Sequence, residues 1–404
     1  MLPIKLLCQL TKSKTRIIRI DKYHEFFPDL FIRLIRLFVQ FVVNLFLNPM
    51  TKPLSRRQFL QQFLPASGTA VLFLAGCRLQ AEPTPTSVPP ATAVPSPPAT
   101  LPPLSRDLIL TPNDEFYIME TNGTPTIDRA EWQLTIDGEV ENPLTLSFTD
   151  IAARPFIEQM RTLECIGNAV GGNQIGNAVW GGILLADLLD EVGVRETAVR
   201  AKFEAADNYE TSVTLDWINQ PGAMLAYQMN GEPLPPEHGY PLRLFMPGLY
   251  GQKMPKWITR IEFIDHNLHL GTWENQGWSN VAKVKTNSQI MMPTHIQKVP
   301  LAPLEIFGVA YAGDRHITQV EVGIENQDGD LHWQLVEELV RGPSDEVWTQ
   351  FYLPWTPPSA GTYTLLVRAT DETGFVQTER ARRVLEGAFP DGTDKIHNIV
   401  IVVE

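Results

Sequence analysis

Thr162-Leu163-Glu164-Cys165-Ile166-Gly167-Asn168 is the stretch on which the reading of this chain turns. An alternating run from Glu158 to Glu164 leads into Cys165, and Gly171, Gly172, Asn173, Gly176, Asn177 and Trp180 follow it. The chain has three cysteines, and Cys8 and Cys77 lie N-terminal to any folded domain the sequence supports. Cys165 is thus a single thiol where a strand enters a turn rich in glycine and asparagine. Glycine lets a backbone approach a bulky ligand closely, and a thiolate is a soft metal ligand. The same thiol could equally be a small buried hydrophobe, since free cysteine is among the most buried residue types.

The 404 residues are 44% hydrophobic and 20% charged, which allows a packed core and, by length, two or three domains. The formal net charge of −13 is uneven. Residues 1–76 hold 11 of the 33 basic and 3 of the 46 acidic residues, leaving 22 basic against 43 acidic, a net of −21, from Cys77 onward. Such a surface repels nucleic acid and anionic membrane. It also repels anionic substrates unless local arginines override the field. Three scattered cysteines make no disulfide framework.

Residues 50–77 open with charge at Ser55-Arg56-Arg57-Gln58-Phe59-Leu60, continue through an apolar stretch and close on Leu74-Ala75-Gly76-Cys77. That order is a secretory leader. Its start is similar to the twin-arginine signal, which exports proteins already folded around a cofactor. Its end is similar to a bacterial lipobox, where the cysteine is lipidated. The expectation is an exported protein held by a lipid anchor on the extracytoplasmic face of a membrane, in the periplasm or at the cell surface. Residues 1–49 are basic, and Leu37–Leu47 is too short to span a bilayer. They are expected to be a mis-called extension, with synthesis beginning at Met50; the alternative is an interfacial helix with Arg33 and Arg36 on its polar face. A linker is expected over 78–105. Pro, Thr, Ser and Ala dominate residues 82–103, where no core can form. As polyproline II, at about 3.1 Å per residue, it would hold a domain up to roughly 60 Å from its anchor.

A first folded domain is expected over 106–285. Glu131–Val140, Glu158–Glu164, Val199–Ala205, Thr211–Leu215, Met224–Met229, Leu242–Met246 and Trp257–Ile264 read as strands. Thr149-Asp150 precedes a short helical stretch and is placed to cap it. Ile183–Val192 has helical spacing and stops at Gly193, and Asn230-Gly231 is a hairpin turn. Strands and short helices without a βαβ rhythm argue for α+β. No G-x-G-x-x-G follows a strand, and neither a P-loop nor a zinc spacing is present. Over 286–404, Leu304–Ala310, Ile317–Asn326, Leu331–Val340, Glu346–Leu353, Gly361–Asp371 and Ile396–Val403 are short strands at the spacing of a β-sandwich. Trp348 and Trp355 are expected in its core.

A second chemical constellation is Glu237-His238-Gly239-Tyr240-Pro241-Leu242-Arg243, followed by Pro247-Gly248-Leu249-Tyr250-Gly251-Gln252-Lys253-Met254-Pro255-Lys256-Trp257. One histidine, one arginine and two lysines around glycine turns, in so acidic a chain, look like a phosphate site. The bland alternative is an exposed basic loop.

Taken together these segments resemble the sulfite oxidase family of molybdopterin enzymes over nearly all of residues 110–404. The carriers are the cysteine loop Leu163–Asn168, Ile175-Gly176-Asn177-Ala178-Val179-Trp180-Gly181-Gly182, Met229–Pro235 through Arg243, and Lys256-Trp257. The resemblance implies a molybdenum–molybdopterin cofactor with Cys165 as the metal ligand. It implies that His238, Arg243 and Lys256 hold the phosphate and pterin, with Lys253 at a variable, often basic position. Tyr117 and Asn122 resemble the opening pterin contact, and Tyr209 matches a tyrosine of the substrate pocket, the alternative being an ordinary strand-end tyrosine. Gly361–Leu365, Arg368–Asp371 and Gly374–Gln377 resemble an immunoglobulin-like dimerisation domain, implying a homodimer.

Two departures bear on substrate. Sulfite-oxidising members carry arginines where Ala169 and Val179 stand here. Sulfite is a small dianion that needs buried cationic partners. The expected activity is therefore oxygen-atom transfer to or from a small molecule other than sulfite, with electrons passed to a separate carrier, a cytochrome or a quinone-linked subunit, since no C-x-x-C-H motif occurs. The alternatives are a genuine sulfite oxidase using Arg161 or Arg315, and a tethered binding protein that has lost the metal.

Overall fold

Apolar alternation makes sheets the main regular structure of the described residues. The computed structural model describes residues 104–404 other than residue 384; the expected leader and lipid anchor, with residues 1–49, lie outside the described residues. In the first half, β1 (Gln133–Gly138), β2 (Leu144–Ser147), β3 (Ile157–Glu164), β4 (Ile175–Leu184), β5 (Arg200–Ala205), β6 (Glu210–Thr214), β7 (Met224–Met229), β8 (Glu232–Pro233), β9 (Arg243–Phe245) and β10 (Ile258–Ile264) form two sheets. One runs β2-β1-β10-β5-β6 and the other β3-β4-β7-β8, with β9 beside β7. The α-helices are short: α1 (Phe148–Ala152), α2 (Ala186–Val192) and α3 (Leu215–Ile218). The described chain is therefore mostly β, with less helix than an α+β reading implies. Ser147, not Thr149, caps α1, exchanging hydrogen bonds with Asp150 in a capping box. α2 ends as expected at Gly193, which takes φ 62°. It starts later than expected because Ile183 and Leu184 pair with β7 instead.

In the second half, β11 (Asn287–Met292), β12 (Lys298–Val299), β13 (Leu304–Tyr311), β14 (Ile317–Glu325), β15 (Leu331–Leu335), β16 (Glu338–Val340), β17 (Thr349–Trp355), β18 (Gly361–Asp371) and β19 (His397–Val403) form sheets ordered β11-β13-β17-β16 and β12-β19-β18-β14-β15. Ile306 and Phe351 of the first share a core with Val320, Val322, Leu365 and Ile401 of the second. The run read as one strand, Leu331–Val340, divides at Val336, so that β15 and β16 belong to different sheets. Trp348 and Trp355 are both buried.

A third apolar cluster, including Ile166, Ile175, Tyr250, Tyr311 and Trp348, joins the halves beside the cysteine loop. β3 lies at the edge of its sheet, and its outer side meets the second half. Thr162 N donates to Glu346 O (2.8 Å), Trp348 N to Thr162 Oγ1 (2.9 Å) and Tyr311 Oη to Thr162 O (3.2 Å). The strand that delivers Cys165 is thereby fixed from both sides.

β4 carries Gly181-Gly182 against β7 at a bulge. A Cβ on Gly182 would sit 2.0 Å from Leu225 O, a backbone atom that cannot rotate away. Gly182→Ala should therefore destabilise the protein by about 3 kcal/mol, at the upper end of ordinary single-site effects; a thermal melt within 1 °C of wild type would refute the close approach.

Candidate active site

The cysteine loop is tied down before any ligand is considered. Cys165 N donates to Gln174 O (3.0 Å) and Asn168 N to Cys165 O (2.9 Å). Glu164, buried beneath the loop, accepts from Asn168 Nδ2 (2.9 Å) and from Asn287 Nδ2 of the second half (3.0 Å). Burial pushes the Glu164 carboxyl up to about 7 against those two hydrogen bonds. Burial likewise pushes the Cys165 thiol up, while the Gly167 amide works in the opposite direction. A thiol so placed holds its proton unless a metal replaces it.

One cavity collects the chemistry. Tyr117, Cys165, Tyr209, His238, Arg243 and Lys256 all line it, together with Glu120, Asp207, Gln252, Trp273 and Trp278. Its empty space, about 920 Å³, includes the open mouth. Gly239 makes the basic side possible. At φ 118° it turns the chain after His238, and a Cβ there would press on Arg243 and Lys256 at 3.0 and 3.2 Å. Trp257, at φ 53°, is an L-residue in the left-handed region. Its indole is buried, with Nε1 donating to Pro236 O (2.7 Å), and Trp257 and Lys256 both line the cavity.

Arg243 decides what the cavity can hold. Its side chain is buried, Nη1 donates to His238 O (2.9 Å), and the guanidinium lies over Trp180 and Phe245 at 5.0 and 4.7 Å from the ring centroids. Its Nε is buried without a partner, and no carboxylate pairs with it among the described residues. Burial lowers its pKa to about 10, which leaves it charged at neutral pH. Lys256 is brought down to about 8 by burial and by Arg243; it donates to Glu237 O (2.7 Å) and stands 3.6 Å from Glu120. His238 Nε2 donates to Asn113 O (2.8 Å), so Nδ1 is the nitrogen left for a ligand; burial lowers its pKa. A buried cation without a counter-charge is costly, and an anionic group seated here would remove that cost. The donors present fit a phosphate-bearing cofactor whose metal takes one thiolate.

Two residues fall elsewhere. Lys253 does not face the cavity: its ammonium is fully buried against Glu274 and donates to Thr211 Oγ1 (3.2 Å) and Ser212 O (3.1 Å). Gly251–Lys253 is a 3₁₀ turn, which rotates successive side chains by about 120°. Gln252 therefore lines the cavity while Lys253 points behind it. Asn122 is exposed and acts at one remove, donating from Nδ2 to the backbone of cavity-lining Asp207 (2.7 Å). Arg161 and Arg315 are also spoken for. Arg161 pairs with Glu346 and donates to Gly222 O, and Arg315 pairs with Asp371 and donates to Val284 O. Trp273, Trp278 and Glu164 were not expected from sequence. The only trace of the tryptophans was the density of glycine and tryptophan in Gly271–Trp278.

The family model described as the oxidoreductase molybdopterin binding domain matches residues 121–273. The chain is 37% identical over 164 residues to the uncharacterized oxidoreductase YuiH of Bacillus subtilis, covering 40% of this chain and 80% of that protein. The chain belongs to the sulfite oxidase family of molybdopterin-dependent oxidoreductases. It is also 29% identical to the sulfite oxidase of Arabidopsis thaliana over 68% of this chain and 84% of that one. The solved sulfane dehydrogenase SoxCD of Paracoccus pantotrophus superposes with a TM-score of 0.62 at 25% identity, covering 73% of this chain and 83% of that one. As a family member the protein is an oxidoreductase whose cofactor is molybdenum bound to molybdopterin.

Two outcomes test the basic side of the cavity. Arg243→Met removes the charge and keeps the stem; it should strip the protein of pterin, yet leave the ligand-free fold as stable as wild type or up to about 3 kcal/mol more so. Retained pterin would contradict this. Lys256 is pulled below the value it has in the unfolded chain, so the unfolded state keeps its proton to higher pH. Between pH 8 and 10.5 the ligand-free fold should gain stability as pH rises. Over the same range affinity for a phosphate-bearing ligand should fall, which calorimetric titration at pH 7 and 9.5 would read.

Proposed function

We propose that this enzyme moves an oxygen atom between water and a small substrate other than sulfite, exchanging electrons with a separate carrier. In the oxidising direction the substrate gains one oxygen from water and releases two protons and two electrons; the reverse consumes them. The carrying observation is which basic side chains line the cavity. Among the described residues, Arg243, Lys256 and His238 are the basic side chains that line the cavity, and all three belong to the segment that would cradle the cofactor. Arg161 and Arg315 face carboxylates, and Ala169 and Val179 bring no charge. A dianion would find no further counter-charge. The likeness to a sulfane dehydrogenase accords with a substrate other than sulfite.

When bound, the cofactor supplies a two-electron metal centre at which oxygen-atom transfer takes place. Cys165 would ligate the metal, His238, Arg243 and Lys256 would hold the phosphate and pterin, and Tyr117 would flank the pterin. The phenol of Tyr209 is buried and donates to Gln252 O (2.5 Å), so its oxygen can accept from a substrate or water in the cavity. Burial pushes its pKa well above the usual tyrosine value, so the phenol keeps its proton at neutral pH.

Several wider readings belong to the same proposal. The domain division at about residues 106–285 and 286–404 is supported by the two separate cores. The second half is read as an immunoglobulin-like sandwich that pairs two copies, with a sandwich of two sheets in support. Export and lipid anchoring rest on Arg56-Arg57 and on Leu74–Cys77. The external carrier, a cytochrome or quinone-linked subunit, rests on the absence of a haem-attachment motif in the sequence.

Cys165→Ser should lower turnover by more than about a hundredfold, beyond the loss typical of a residue that only supports a metal ligand, while pterin stays bound through Arg243 and its neighbours. Loss of pterin with the metal would mean that the phosphate contacts are misplaced. With a cytochrome acceptor, kcat/KM for sulfite should fall below about 10⁴ M⁻¹s⁻¹, the low edge of ordinary enzymes; an efficient rate would overturn the substrate argument.

A further inference from the structure

Residues 104–113 precede the first strand and belong to no helix or sheet. They lie first on the second half. Arg106 pairs with Glu305 (2.6 Å) and Glu338 and sits over the ring of Tyr352, 4.0 Å from its centroid. Tyr352 Oη donates to Ser105 O (2.8 Å). The segment then crosses to the first half, where Thr111 N donates to Asn177 O of β4 (2.7 Å). It ends beside the cavity. Asn113 O accepts from His238 Nε2 (2.8 Å), and Phe116 meets the same ring edge-on, with centroids 5.7 Å apart and planes at 80°.

Without a ladder, the polar backbone of this segment needs other partners, and side-chain amides supply them. Gln350 of β17, fully buried, accepts from Ile109 N (2.6 Å) and donates to Asp107 O (3.0 Å). Asn177, also fully buried, donates from Nδ2 to Ile109 O (3.1 Å). Asn230, in the turn between β7 and β8, donates to Thr111 O (3.0 Å) and Asn113 Oδ1 (2.9 Å) while accepting from Val179 N (2.9 Å). None of these amides lines the cavity. The last contact of the segment fixes His238. A carbonyl oxygen only accepts, so Nε2 carries the ring proton and Nδ1 of the neutral ring is bare.

We propose that residues 104–113 are a strap that positions His238, clasped by Gln350, Asn177 and Asn230, so that the second half helps to set which ring nitrogen meets a ligand in the cavity. The inference goes beyond the proposed reaction and rests only on the reading of His238 as a cofactor contact. Its physical basis is a chain of obligatory bonds. A lost clasp leaves buried backbone groups unpaired, and the strap lifts to pair them with water. Asn113 O then leaves His238, and with no acceptor at Nε2 the proton is free to occupy either nitrogen. Gln350, Asn177 and Asn230 are thus positioning residues, acting on the ligand through His238.

The test is imidazole nitrogen NMR of the natively produced full chain labelled at histidine, in wild type, Arg106→Met, Gln350→Leu and Asn230→Asp. His238→Gln assigns the resonances, and release of pterin on dialysis is followed in every sample. Asn230→Asp keeps the acceptor for Val179 N and loses both donors to the strap. Arg106→Met alters a partly exposed side chain, so the test stays open should Gln350→Leu not fold. Wild type should show His238 protonated at Nε2 alone. Gln350→Leu and Asn230→Asp should show a second form protonated at Nδ1 and release pterin about fivefold faster, the worth of one hydrogen bond. Arg106→Met should release it about twofold faster, as for one surface ion pair. A lower melting temperature with His238 still protonated at Nε2 alone is what a merely structural segment would give. That result, or wild-type pterin release in the folded variants, would overturn the strap and leave the oxidoreductase reading standing. Pterin held at the wild-type rate by His238→Gln would overturn the reading of His238 as a cofactor contact, and the role of the strap with it.

Discussion

Arg243 carries its charge into the interior of an acidic protein with no carboxylate to meet it. Leaving a buried charge uncompensated costs about 3–5 kcal/mol. Stacking on Trp180 and Phe245 returns only part of that, about 2 kcal/mol when the cation is desolvated. The remainder has to come from an anion that is not part of the chain. Lys253 makes the contrast, since it is ten residues away, more deeply buried, and fully neutralised by Glu274. One cation of the basic segment is paired inside the protein, and the other has no carboxylate partner among the described residues. The residues around Arg243 make sense in that light: Gly239 clears space for it, Trp180 supports it, and the left-handed turn at Trp257 brings Lys256 to its side.

The second constraint is where the thiol sits. Cys165 ends a strand whose outer edge is hydrogen-bonded to the second half, and Glu164 beside it is clamped between Asn168 of its own loop and Asn287 across the boundary. His397 of β19 packs on Gly171 so closely that a Cβ there would lie 2.2 Å from its ring nitrogen. The cysteine is therefore positioned by both halves together. A metal ligand needs placement within a few tenths of an ångström, and a loop anchored on one side only would not provide it. The second half thus helps to fix the cysteine loop, and among the described residues none of its charged side chains lines the cavity.

Much of this was legible in the chain, and the exceptions share a cause. Cys165, His238, Arg243 and Lys256 stand in short motifs whose residue types announce their chemistry, and they meet around one cavity. β4 is hard to read as a strand because Gly176, Gly181 and Gly182 interrupt its alternation. In the fold Gly176 and Gly181 lie under the rings of Phe116 and Phe156, and Gly182 lies so close to Leu225 O that a Cβ would clash with backbone. The charge and position of Lys253 suit a ligand contact; the buried acid that claims it lies 21 residues further on, in a segment without periodicity. Trp278 went unread for the same reason. The division of Leu331–Val340 between two sheets depends on the hydrogen bond from Val336 N to Val320 O, a tertiary choice that no local pattern records.

The central claim is that one protein sulfur completes the coordination of a metal carried by a cofactor whose charge Arg243 compensates. Molybdenum K-edge absorption spectroscopy on natively produced wild-type and Cys165→Ser protein tests it most directly. The account predicts molybdenum in both, with one metal–sulfur bond fewer in the variant. An identical sulfur shell in the two proteins would contradict it.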